Sequence, residues 1–179
     1  MKTKISILLI AALALFSCNN EKSSNTPQPE SEEDKIVNEL MAQCQNFDAD
    51  DIIQGLPGEW DKYFQLFYDD AWQKITEVYM LEGKFQPGYT IGAPEIIRFT
   101  FTPDGKGSYY VYCSSSGPGL EEYTVSFDWN FDATDNKLVL SGGYNKSAIV
   151  SGFNNGYIIL DYVGNKNKNS REILKKRVE

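Results

Sequence analysis

The hydrophobic and polar positions along this chain fall into three textures. Ile5 to Phe16 is almost wholly apolar, with Lys2 and Lys4 in front and Cys18 close behind. Asn19 to Glu33 is dominated by Asn, Ser, Thr, Pro and Glu, with Pro27 and Pro29 keeping it extended, and reads as a flexible tether. From Asp34 the apolar residues return, first at helical spacing and then, past Leu56, in short alternating runs broken by turn residues.

Ser31 followed by Glu32, Glu33 and Asp34 makes a good helix start, because the acids lie at the positive end of the helix dipole. Ile36, Leu40, Met41 and Cys44, with Val37 beside them, predict one short amphipathic helix to about Asn46. Its apolar stripe reads either as a partner-binding face or, more commonly, as a helix lying against its own domain. Asp50-Asp51-Ile52-Ile53 adds a further turn before Gly55.

Trp60 to Tyr68 alternates, which predicts a strand with Trp60, Phe64, Leu66 and Tyr68 on one face. Trp72 to Leu81 fits both a helix and a strand, and we read it as a strand. Phe85 to Pro94 carries two prolines and two glycines and reads as a loop. Ile97, Phe99 and Phe101 then run into Thr102-Pro103-Asp104-Gly105, and Tyr109 to Cys113 returns as the second arm of a hairpin. Ser114 to Gly119 is a Ser/Gly/Pro loop. In Tyr123 to Phe131 the apolar side is Tyr123, Val125, Phe127, Trp129 and Phe131, and the polar side Thr124, Ser126, Asp128 and Asn130. Leu138 to Leu140, Ala148 to Val150, Tyr157 to Val163 after the Asn155-Gly156 turn, and Ile173 to Val178 complete the series. Sequential hairpins of this kind predict an all-β fold: an antiparallel barrel of eight to nine strands with one short N-terminal amphipathic helix.

The first texture decides compartment. A run of twelve residues, eleven of them apolar, is too short to span a bilayer, which takes about 20. A basic start and a short apolar core follow the secretory pattern. With Cys18 directly after Leu15-Phe16-Ser17, the segment resembles a bacterial lipoprotein signal, and the resemblance implies cleavage before Cys18 and lipid on its sulfur. The expected organisation is a signal peptide at 1–17, a tether at 18–33, a helical segment at 34–54 and a barrel domain at 55–179. The expected location is the cell envelope, anchored at the outer membrane with its face left open.

Other residues carry a second resemblance. Gly58-Glu59-Trp60 is similar to the Gly-x-Trp that opens lipocalins. Phe99 to Gly107, with Phe127-Asp128-Trp129, Lys137 to Leu140 and Tyr157 to Leu160, resembles the lipocalin-like lipoproteins of Bacteroidetes. That resemblance implies a small barrel and no established chemistry, and true lipocalins carry apolar ligands in the barrel mouth. Trp60 is expected in the core at the closed end.

Composition narrows the chemistry. Removing residues 1–17, with Lys2 and Lys4, takes the formal charge from −8 to −10, which argues against nucleic acid and against lying flat on anionic lipid. The chain has no histidine, so Ser-His-Asp and Cys-His catalysis and imidazole metal sites are excluded together. Cys44 and Cys113 remain either as a disulfide pair, which an oxidising compartment permits, or as two separately buried thiols.

Four stretches invite functional readings. Asp128-x-Asn130-x-Asp132 looks like the start of a calcium loop, but Ala133 and Val139 stand where Gly and Glu are required. Asp69-Asp70 with Glu77 or Glu59 could form a carboxylate pair, although neighbouring acids are expected by chance in a chain with 25 Asp and Glu. Ser114-Ser115-Ser116 and Gly117-Pro118-Gly119 lack any base or phosphate-loop lysine. Tyr110 and Tyr112 mark a phenol-rich strand face, read as ligand-lining or as ordinary barrel filling and girdle.

The expectation is therefore a membrane-anchored, non-enzymatic barrel with no catalytic, cofactor or metal residues, binding a small apolar or glycan-like molecule. The alternative is an envelope protein that docks a partner through its helix or barrel surface. In a bacterial host, a Cys18→Ala chain is expected to move from the membrane to the soluble fraction. Full retention in the membrane would refute lipidation.

Overall fold

The computed structural model describes residues 32–81, 84–85, 96–113, 121–164 and 169–178. Cys18, the expected tether as far as Ser31 and the Ser114 to Gly119 stretch lie outside them, as does most of Phe85 to Pro94, whereas Glu32 and Glu33 open the first helix. Two helices, α1 (Glu32–Gln43) and α2 (Ala49–Gly55), precede ten strands among the described residues. These are β1 (Gly58–Tyr68), β2 (Lys74–Leu81), β3 (Lys84–Phe85), β4 (Ile96–Phe101), β5 (Lys106–Cys113) and β6 (Glu121–Asp132). They continue with β7 (Lys137–Gly142), β8 (Lys146–Phe153), β9 (Tyr157–Tyr162) and β10 (Asn169–Lys176). The ambiguous stretch after Trp72 is a strand. The turn expected at Asp50 is a full helix, because Asp48 and Asp51 cap it reciprocally, each carboxylate accepting the other's backbone N–H at 2.9 and 3.0 Å.

Eight strands close into a ring in the order β1, β4, β5, β6, β7, β8, β9, β10, with β10 returning to β1 and every pairing antiparallel. The barrel expected from the spacing of the hairpins is present. The strands beyond the expected number are β2 and β3, which extend one edge of β1 rather than the ring. β4 pairs with the lower half of β1, Gly58 to Asp61, and β2 with the upper half, Phe64 to Tyr68.

That change of partner coincides with a bulge. The β1–β10 register shifts between Lys62 and Phe64, so that Lys62 faces Leu174 whereas Phe64 faces Ile173. One extra residue turns the following side chains to the opposite face. Trp60 and Lys62 therefore point into the barrel. Phe64 and Leu66 point outward, where Ile159 and Ile173 join Val37 and Leu40 of α1 and Cys44 just beyond it in a buried apolar cluster. The single face expected for Trp60, Phe64, Leu66 and Tyr68 is thus divided by the wall. The helix stripe lies against the chain's own barrel through Val37, Leu40 and Cys44, while Ile36 turns toward solvent.

The two cysteines are not bonded to each other. Cys44 lies in the outer cluster and Cys113 in the interior one, so the wall itself stands between them.

The lower interior is filled. Ile52 of α2 and Leu56 at its C-cap enter it beside Trp60, which is fully buried and donates its indole N–H to the Leu56 carbonyl at 2.7 Å. The Phe153 ring lies 6.1 Å from Trp60, Phe101 stacks beside Phe99, and Lys176 Nζ donates to the Gly55 carbonyl at 2.6 Å. Trp60 is the core residue at this end, as the sequence implied. The Thr102 to Gly105 turn closes with Gly105 N–H donating to Thr102 O, at a φ of 80° that suits glycine.

α1 is held close to β8. Phe153 N–H donates to the Cys44 carbonyl at 2.9 Å, and a Cβ on Gly152 would stand 2.8 Å from Ile159 Cδ1 and 2.9 Å from Cys44 Cβ. Gly152→Ala is therefore expected to cost about 1–3 kcal/mol of stability by overpacking, read as a lower urea midpoint. An unchanged midpoint would show that the helix does not pack as described.

Candidate functional site

The upper half of the interior is different in kind. Each residue reaches it through the strand register. On β10, Arg171 and Ile173 face outward, so Glu172 between them faces inward, opposite Gln65 of β1 and Leu160 of β9. Lys62 stands just before the bulge and keeps its inward direction. Tyr162 ends β9 inside, Lys146 opens β8 inside opposite Leu140, and Tyr144 comes from the β7–β8 connection. Tyr109 shares the inward face of Val111 and Cys113 on β5.

At the centre is a buried ion pair. Lys62 Nζ lies 2.9 Å from Glu172 Oε1, with the side chains only 6% and 1% exposed, and Lys62 also donates to Gln65 Oε1 at 3.3 Å. Lys146 Nζ approaches the same Oε1 at 3.9 Å and sits 5.3 and 4.9 Å above the rings of Tyr144 and Tyr162. Glu172 Oε2 is buried and has no hydrogen-bond partner. The buried Tyr162 hydroxyl faces the same carboxylate as a hydrogen-bonding neighbour.

Tyrosines surround the pair. Tyr109 and Tyr144 stack at 4.4 Å and 17°, and Phe99 packs 5.0 Å from Tyr109 and 5.9 Å from Tyr144. Burial, then the Glu172 charge, pushes the Tyr144 and Tyr162 phenols above the ordinary range. Burial and the neighbouring Tyr144, Tyr123 and Glu172 do the same for Tyr109. All three are neutral hydroxyls at pH 7, able both to donate and to accept.

A buried pair pays a desolvation cost that only good geometry and full hydrogen bonding offset. Here half of one carboxylate lacks a partner. Such a buried cluster is expensive for a core, and that makes it the candidate site.

The residues singled out from the sequence lie elsewhere. Tyr110 and Tyr112 are on the outer face of β5, where the Tyr110 hydroxyl donates to Glu122 Oε1 at 3.2 Å. They do not line the interior, since strand alternation gives that face to Tyr109, Val111 and Cys113. Asp128 is outside, held by Lys106 Nζ at 2.6 Å, and no group of three or more metal-holding side chains occurs among the described residues. Asp69 caps a turn by accepting the N–H groups of Ala71 and Gln73 at 2.9 and 2.8 Å. Glu59, at the opposite end of β1, pairs with Arg98 and Arg177 at 3.8 and 3.6 Å, so these two acids are not brought together.

Glu172, Lys62, Lys146, Tyr144 and Tyr162 were missed by the sequence reading. The available signal was weak. Glu172 alternates with Arg171 and Ile173, a pattern equally fitting a solvated strand.

No family model matches the chain, and no curated protein matches it. Among solved structures it is similar to bovine odorant binding protein in several forms. A complex with a selenium-containing odorant is 11% identical with a TM-score of 0.40, covering 76% of this chain and 80% of that one. A deswapped triple mutant is 10% identical at 0.38, covering 70% and 76%. A complex with undecanal is 12% identical at 0.35, covering 69% and 73%. The barrel of the present chain rests on its own strand ladder, independently of this likeness.

The buried phenols make stability fall in alkali. A tyrosine of the unfolded chain ionises near pH 10, whereas these three stay protonated in the fold, so the unfolded state binds fewer protons and is favoured as pH rises above about 10. Ultraviolet titration at about pH 11 is expected to show Tyr109, Tyr144 and Tyr162 un-ionised until the protein unfolds. Smooth ionisation of all eleven tyrosines near pH 10 with the fold intact would contradict the described packing.

Proposed function

We propose that this chain is a non-enzymatic binding protein, anchored at the outer membrane through lipid on Cys18, that takes a small molecule into the upper half of its barrel. The single observation that carries the reading is the buried Lys62–Glu172 pair among the tyrosines of the upper interior, above a lower half filled by Trp60, Phe99 and Phe101. Fold alone does not give function, and the weight falls on this site.

The upper interior combines aromatic rings, neutral hydroxyls and a fixed carboxylate, a lining that suits a ligand with an apolar body and a polar handle, or a glycan-like one. The absence of histidine from the chain removes the commonest general base. The helix stripe is covered by the barrel wall, so a partner-docking role would have to use another surface.

Native mass spectrometry of protein purified from its own host is expected to show a small-molecule adduct that is lost on denaturation. Bare protein mass in repeated gentle preparations would overturn the reading.

A further inference from the structure

The bulge has an outer side, and the groups gathered there stand apart from the interior pair. Tyr63 is the extra residue: the β10 register passes over it, β4 pairs with β1 only as far as Asp61, and β2 begins at Phe64. Beside it opens a cavity of about 340 Å³ whose lining includes Asp61, Tyr63, Lys175, Arg177 and Val178. Arg177 is 42% exposed, so the cavity is reached from solvent.

Lys175 on β10 and Arg177 just past its end alternate with the inward Lys176 and share the outer face. Roughly 7 Å of extended chain separates them, room for one oxyanion between the two charges. Neither cation is fully engaged. Arg177 meets Glu59 Oε2 at 3.6 Å and Asp61 Oδ2 at 3.8 Å, distances of charge attraction too long for hydrogen bonds. Among the described residues Lys175 has no carboxylate partner, and its ammonium stands 5.4 Å from the centre of the Tyr63 ring. Asp61 is committed elsewhere, accepting from Arg98 Nε at 2.8 Å.

Three cations, Arg98, Lys175 and Arg177, thus stand against two acids, Glu59 and Asp61, on a chain whose net charge is −8. One negative charge neutralises this cluster, whereas a second would press on Asp61 and Glu59. A guanidinium fork matches the two oxygens of a carboxylate, and the Tyr63 ring gives the body behind them an apolar wall.

We propose that this cavity binds an organic monocarboxylate, its oxygens held between Arg177 and Lys175 and its apolar body against Tyr63.

Benzoate, benzamide and benzamidine have nearly one shape and carry negative, zero and positive charge. Acetate keeps the carboxylate without the ring, and inorganic phosphate brings a further negative charge. Each is titrated at neutral pH and low ionic strength into the intact chain, with the amides of Tyr63, Lys175 and Arg177 followed by NMR. Benzoate is expected to bind on the order of tenfold tighter than the other four and to weaken as salt is added. Arg177→Lys, which keeps the charge and loses the fork, and Lys175→Gln are each expected to cost several-fold in benzoate affinity. Both side chains are exposed, so the urea midpoint of either variant is expected to stay where it is. Acetate or benzamide matching benzoate, tighter binding of benzamidine or phosphate, or full benzoate affinity in both variants would overturn the proposal. So would the absence of any shift at the three amides, and in each case the interior reading is left untouched.

Discussion

One extra residue in the first barrel strand sets the arrangement of the rest. Because the register slips between Lys62 and Phe64, β1 serves two faces in succession. Below the slip its large side chain, Trp60, fills the interior. Above it Phe64 and Leu66 need cover on the outside, and α1 supplies it. The same slip leaves Lys62 as an inward cation within reach of Glu172, and it marks where β1 exchanges β4 for β2. Wall, helix and ion pair follow from one local irregularity.

The interior is accordingly divided by chemistry as well as by height. Below, aromatic and aliphatic side chains pack with one polar need, the Trp60 indole, met by the Leu56 carbonyl. Above, charge and phenol replace hydrocarbon, and hydrogen bonding is incomplete. A chain selected only for stability would gain from apolar residues in place of such a pair. That contrast with the hydrocarbon below is what makes the upper half the candidate site.

Much of the architecture was legible because it depends on local pattern. Tyr123 to Phe131 separates core from solvent residue by residue, and the Thr102 to Gly105 turn carries its own backbone preferences. The barrel follows from many such hairpins in series. The bulge was not legible, since no glycine or proline marks Asp61-Lys62-Tyr63 and a strict period of two carries the eye past it. The site was not legible either. A glutamate between an arginine and an isoleucine reads as solvated until ring closure brings in a lysine 110 positions away. Tyr110 and Tyr112 drew attention as a pair, whereas the direction of Val111 and Cys113 already assigned the interior to Tyr109.

Ring closure also has a temporal side. The strands that meet to seal the barrel are the first and the last, so their pairing spans nearly the whole domain. Contacts between such distant segments form slowly, because the chain between them must first be brought together. During synthesis β10 is the last strand to emerge, and until it does the chain has neither a closed wall nor the acid that Lys62 awaits. The polypeptide thus stays unsealed for as long as it is being made.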